Sequence, residues 1–168
     1  CSGSLVLKTI QNLRILQLID SLQSGGAERM CVNITNVLHA NGHDITLCAT
    51  RAGGPLERFI TQDVKYYVLD KRSSLDVVVF GKLLKILKDD RIDVIHAHWL
   101  IPQGWIASRF SKQFNLPYIV TSHGGDLFGL QGNMLTKIKK QVAGDATAMT
   151  VVSQAMQDYS QILKTIEQ

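Results

Sequence analysis

His123, Gly124, Gly125 and Asp126 form the densest group of chemically able residues in the chain. An imidazole at a strand end can exchange a proton near neutral pH or hydrogen-bond a hydroxyl. The two glycines leave the backbone open to close approach by a ligand. Asp126 either accepts a hydroxyl proton or caps the helix that follows. His96 and His98 stand two apart on or just past a strand, so they point the same way. They are either satisfied core histidines or part of a metal site, and no third ligand of the right kind accompanies them. Gly25 and Gly26 open a helix, where free N–H groups and the positive dipole end favour an anion. The plainer reading of that pair is a tight turn. A GxGxxG pattern cannot be read across SGGAER, no acidic residue ends the second strand, and no GK[ST] follows the glycines. The dinucleotide fingerprint and the P-loop are thereby excluded. No serine nucleophile elbow or Cys-His signature is present.

Alternating strand and helix patterns must position these residues. Residues 13–19 are apolar apart from Arg14 and Gln17, as in a strand buried on both faces. After the glycines, Met30, Cys31, Ile34, Val37 and Leu38 recur at helical spacing, and Asn41-Gly42 ends that helix. Residues 44–50 read as a second strand, 56–61 as a short helix behind Pro55, and 65–69 as a third strand. Ser73-Ser74 offers an N-cap for a helix with Leu75, Val78, Val79, Leu83, Ile86 and Leu87 on one side. Further strands are expected at 93–97, 118–122 and 146–152. Helices are expected at 101–114 and 135–142, and from Ser153 to 166. The alternation predicts a doubly wound parallel sheet of about six strands, ordered 3-2-1-4-5-6, within residues 13–168. Residues 1–12 are read as a tail. In such sheets ligands bind beyond the carboxyl ends of the strands, which selects the loops at Ser24-Gly25-Gly26, His98-Trp99, His123 to Asp126, and Ser153.

Composition bounds the answer further. The chain has 168 residues, 45% hydrophobic and 19% charged, which suits one globular domain with a real core. No apolar run is long enough to span a bilayer. Cys31 and Cys48 lie in helix and strand patterns and read as small core residues, so a reducing, cytoplasmic setting is expected. The net charge is +4, with basic groups at Lys82, Lys85, Lys88 and Arg91 and at Lys137, Lys139 and Lys140. These are read as solvated helix faces, with attraction to anionic lipid or phosphorylated ligands as the sharper alternative. No aromatic residues interleave with the charges, which argues against nucleic acid.

The motifs together carry a resemblance. GGAER at the first helix, ANGHDITL before strand two, DVIHAHW after strand four, LPYIVTSHGGDLF, and the closing VVS all stand at strand ends. In that order they resemble the N-terminal domain of retaining GT-B glycosyltransferases of the group 1 (family 4) type. The resemblance implies one Rossmann-like half of a two-domain enzyme. This half would hold the acceptor, and an absent C-terminal domain would bind the nucleotide sugar. It implies that Gly25 and Gly26 approach the donor diphosphate and that His123 lies beside the transferred sugar. His98, Gly124, Gly125 and Ser153 would contribute to substrate or donor-phosphate binding, and Asp126 would be the catalytic partner of His123. It implies no metal and no cofactor, the nucleotide sugar being a co-substrate. The acceptor would be a glycan or lipid-linked glycan of polysaccharide biosynthesis, handled in the cytoplasm or at the inner face of the membrane. The chain alone is then expected to be inactive. A half of a sugar-nucleotide epimerase, or a non-catalytic phosphate- or sugar-binding module, are the competing readings.

Overall fold

A computed structural model describes residues 12–73, 76–128 and 132–152. Its elements run β1 (Arg14–Ser21), α1 (Gly26–Ala40), β2 (Asp44–Ala52), a 3₁₀ turn (Pro55–Phe59), β3 (Lys65–Val68) and α2 (Val77–Asp89). They continue with β4 (Val94–His98), α3 (Trp105–Phe114), β5 (Tyr118–Ser122), a four-residue α4 (Gly125–Phe128), α5 (Asn133–Asp145) and β6 (Ala148–Val151). All six strands pair in parallel in the order β3-β2-β1-β4-β5-β6, as the alternation predicts.

Strand alternation divides the core between the two faces of the sheet. Ile15, Ile19, Ile45, Leu47 and Ala49 pack with Cys31 and Val32 of α1 and with Leu56 of the 3₁₀ turn. Leu16, Leu18, Cys48, Ile95, Ala97 and Val120 face the opposite way, against Leu83 and Leu87 of α2, Phe110 of α3 and Val142 of α5. Burial of both faces is what a parallel sheet requires. Both interruptions of the apolar run in β1 have partners. Arg14 donates twice to the Asp93 carboxylate, with Nε at 2.9 Å. Gln17 bonds His98 inside the protein.

Several local expectations are corrected. The cap of α2 is Asp76, whose carboxylate accepts from the N–H groups of Val78 and Val79, rather than the Ser73-Ser74 pair. Asp76 prevails because a carboxylate answers the dipole and the free donors together. Val78 is 66% exposed rather than part of the buried stripe, since it lies in the first turn, beside the cap. The helix expected at 101–114 becomes a wide, irregular turn over Leu100–Gly104, followed by α3 from Trp105. Lys139 is buried rather than solvated. Burial pushes its ammonium below the usual lysine range, and the Asp126 charge opposes that shift. Leu75, Ser74, Ser153 and the last expected helix lie outside the described residues. Among the described residues no helix is long and apolar enough to cross a membrane.

Gly54 fixes the loop that enters α1. A Cβ there would stand 2.3 Å from the Leu22 carbonyl oxygen and 2.7 Å from the Gln23 nitrogen. The backbone of one loop thus rests directly on another, and Leu56 N–H donates to the same Leu22 oxygen at 3.2 Å. Gly81, in α2, has nothing within 4 Å of its missing Cβ. The two glycines should therefore respond to alanine with opposite signs. Gly54→Ala is expected to destabilise by roughly 1–3 kcal/mol through overpacking against backbone. Gly81→Ala is expected to stabilise by up to about 1 kcal/mol through helix propensity. Equilibrium urea denaturation of the two variants checks both.

Candidate functional site

A cleft of about 400 Å³ opens at the carboxyl edge of the sheet, lined by Gly26, Ala27, Glu28, Met30, Trp99, His123 and Val152. Its walls come from the loops after β1, β4, β5 and β6, the edge that the parallel-sheet rule selects. Gly26 is the first residue of α1. A Cβ on Gly26 would meet nothing within 4 Å, and its φ is not positive. Neither turn geometry nor internal packing requires glycine at this position. Gly25 is extended, and a Cβ on it would lie 2.2 Å from Glu28 Oε2. The Glu28 carboxylate therefore sits over the helix entrance and complements its dipole.

The histidines belong to one row on the α1-facing side of the sheet. Gln17 pairs in register with His96, and His98 with Thr121. His96 Nε2 lies 2.8 Å from Thr121 Oγ1, which lies 2.6 Å from Thr150 Oγ1. His98 Nε2 lies 3.0 Å from Gln17 Oε1, and its Nδ1 lies 3.2 Å from His123 Nε2. The His96 and His98 rings are 4.5 Å apart, and the His98 and His123 rings meet edge to edge with their centroids 5.4 Å apart. Trp99 closes the other side of His123 at 5.0 Å. His98 is 0% exposed, so it does not reach the cleft. The parity that aligns it with His96 places it inside, behind His123.

Asp126 is 2% exposed. Its Oδ2 accepts from the Leu100 N–H at 2.5 Å and its Oδ1 from the Ser122 hydroxyl at 2.7 Å. It ties the exit of β4 to the exit of β5 and leads into α4. Trp99, next to Leu100, holds a φ of 80°, an outlier for a bulky side chain. Trp99 N–H donates to Thr121 O at 2.8 Å, and Gly104 N–H donates to Trp99 O at 2.9 Å. The bonds on both flanks keep the indole in the cleft wall. Gly124 has a φ of 97°, which needs glycine at the turn that aims His123. A Cβ on Gly125 would come 3.3 Å from the Trp99 ring. Sequence reasoning passed over Trp99, Glu28, Met30 and Val152 as site residues. Trp99 carried a signal, being a large aromatic in a selected loop, and Glu28 another, being an anion in the first turn of α1.

Electrostatics keep the histidines neutral. Burial pushes His96 down to about 4, helped by the His123 charge. Burial holds His98 well below the usual histidine range, with His96 and His123 adding to it. Burial also lowers His123, and the Asp126 charge partly opposes this. Among the described residues, no group of three or more His, Cys, Asp or Glu is placed to hold a metal ion. The site therefore presents a neutral imidazole, able to donate one hydrogen bond and accept one, beside an indole and the start of α1.

The comparisons with known proteins agree with this architecture. The family model for glycosyltransferase family 4 matches residues 24–163, and the chain belongs to that family. The chain is similar to the teichuronic acid biosynthesis glycosyltransferase TuaC of Bacillus subtilis, a putative assignment in its own name. Identity is 31% over 84 residues, which is 48% of this chain and 22% of TuaC. An uncharacterized glycosyltransferase of Methanocaldococcus jannaschii is 33% identical over 29% of this chain and 14% of its own length. Among solved structures, HepE of Anabaena, in complex with UDP, has a TM-score of 0.68 at 19% identity. That match covers 90% of this chain and 41% of HepE. Sucrose-phosphate synthase of Thermosynechococcus elongatus has a TM-score of 0.65 at 13% identity, over 89% of this chain and 45% of the synthase. The chain thus spans less than half the length of these relatives, and the structural likenesses concern the fold.

The buried neutral histidines give stability a pH dependence of defined sign. Unfolded histidines titrate near 6.5, so below that the unfolded chain takes up protons that the folded rings resist. Their contribution is fully present above about pH 6.5 and is lost as pH falls through 6.5 toward the His96 value of about 4. Urea denaturation from pH 7.5 to 4.5 should show falling stability, and His96→Gln should flatten the slope. An unchanged slope in that variant would count against His96 as a source of it.

Proposed function

We propose that this chain is the acceptor-side half of a glycosyltransferase that moves a sugar from a nucleotide-sugar donor to a glycan or lipid-linked acceptor, with retention. Gly26 carries the reading. It is a glycine that the fold itself does not need, and its open side faces the cleft that His123 and Trp99 also line. A ligand that must come close to the start of α1 accounts for it. The HepE complexes with UDP, and with UDP and glucose, support a nucleotide-sugar donor here. TuaC, named for teichuronic acid biosynthesis, supports a glycan acceptor.

In this reading the donor's anomeric carbon–phosphate bond breaks while its bond to the acceptor oxygen forms on the same face. The acceptor proton passes to the leaving phosphate. The N–H groups at the start of α1 favour that phosphate, and His123 hydrogen-bonds the transferred sugar. Asp126 acts at one remove by holding Trp99 and the exit of β5 in place. Most nucleotide contacts fall to a second domain in this reading. The cytoplasmic face of the membrane is the proposed setting, with α2 presenting exposed Val77 and Val78 near Lys82 and Lys85.

Two substitutions in the full-length enzyme test the reading. His123→Ala should lower turnover by about 10²- to 10³-fold, the usual loss for one contact to a reacting group. Gly26→Val should abolish most turnover while leaving thermal stability intact, because its Cβ meets no protein atom within 4 Å. Steady-state kinetics with nucleotide-sugar donors, with melting curves recorded alongside, check both. Near-normal turnover in either variant would remove the corresponding contact from the mechanism.

A further inference from the structure

Gln17 is out of place for a central strand. It sits in the middle of β1, is 0% exposed, and its Nε2 finds no hydrogen-bond partner among the described residues. An unpaired buried amide nitrogen is costly, and such a cost calls for a reason. The bond that Gln17 does make supplies one. Its Oε1 lies 3.0 Å from His98 Nε2, and His98 Nδ1 lies 3.2 Å from His123 Nε2.

With the Gln17 amide turned Oε1 toward His98, proton bookkeeping runs one way along this chain. A carbonyl oxygen can only accept, so His98 carries its proton on Nε2. A neutral imidazole has one N–H, so His98 Nδ1 is bare and accepts. The 3.2 Å contact then requires the proton of His123 on Nε2. His123 Nδ1 is left bare, on a ring that lines the cleft. We propose that Gln17 and His98 are positioning residues that hold His123 in its Nε2–H tautomer, so that its Nδ1 accepts a hydrogen bond from a sugar hydroxyl. This deepens the reading of the cleft as a sugar-transfer site and rests on it for the hydroxyl. A bare nitrogen cannot donate to a phosphate oxygen, so the pairing assigns His123 to the sugar and leaves the diphosphate to the start of α1. His98 and Gln17 are both sealed from solvent, so water cannot exchange their roles. The nearly coplanar His98 ring, bonded at its edge, and the Trp99 indole fix the plane of the His123 ring between them.

Long-range ¹H–¹⁵N correlation spectra of the ¹⁵N-labelled chain at pH 7.5 read the tautomers directly. The expected pattern is a protonated Nε2 and a pyridine-like Nδ1 on both His98 and His123. Gln17→Met removes the acceptor and should leave His123 a mixture of tautomers, with the backbone amide shifts of the sheet largely unmoved. Gln17→Glu restores an acceptor and should restore the single tautomer. A wild-type His123 protonated on Nδ1 overturns the proposal, as does a single Nε2–H tautomer that persists in Gln17→Met. The wild-type spectrum decides the tautomer whatever the stability of the variants. No sugar is present in this experiment, so its failure is separate from that of the sugar-transfer reading. The kinetics of His123→Ala test the latter alone.

Discussion

The Asp126 carboxylate is the interaction on which the site's geometry depends. It is buried at the carboxyl edge of the sheet and accepts from a backbone N–H that follows β4 and a hydroxyl that ends β5. Burying a carboxylate is costly unless its oxygens are engaged, and here each oxygen reaches a different strand's exit. This bridge anchors Leu100 and so holds its neighbour Trp99 in a backbone conformation that a tryptophan seldom adopts. With the indole held there and Gly124 turning the chain after β5, His123 is confined between Trp99 and His98.

A second tension runs through the sheet. One face of β4, β5 and β6 carries His96, His98, Thr121 and Thr150 where a parallel sheet usually carries aliphatic residues. The opposite face is conventionally apolar, with Leu16, Leu18, Ile95, Ala97 and Val120 packed under α2, α3 and α5. Hydrophobic burial on that face, together with the α1 side of β1 and β2, supplies most of the driving force for folding. The polar row is then tolerated because its members bond one another. It runs from Gln17 in the centre of the sheet to His123 at its edge. It is a means of transmitting orientation rather than charge, since all three imidazoles are held neutral.

Much of this architecture was legible in the residues. Strand order followed from alternating apolar runs and crossover-length connections, and the parallel-sheet rule then brought Gly26, Trp99 and His123 to one edge. What escaped depended on contacts far apart in sequence. Nothing near Asp126 announces that its partner is the N–H of Leu100, so a proton acceptor and a local cap were the only readings at hand. His98 sits in a strand buried on both faces, where alternation cannot separate a cleft-facing ring from an enclosed one. Lys139 read as part of a basic face because helical spacing says which residues share a side, not what covers that side. Gly54 drew no reading of its own, although it is the place where two backbones touch.

The glycines at the start of α1 show how these levels join. A glycine can be demanded by positive φ, by close packing, or by something outside the chain. Gly42 and Gly124 satisfy the first condition and Gly54 the second. Gly26 satisfies neither, and its residue type would cost helix stability for no internal gain. Glu28 stands over the same helix entrance, so an arriving anion must contend with a resident one. A bare phosphate would be a poor match for such a site. A diphosphate attached to a sugar brings hydroxyls for His123 and an apolar ring face for Trp99 as well. Under the proposed function, recognition at this edge favours the whole donor over its anionic fragment.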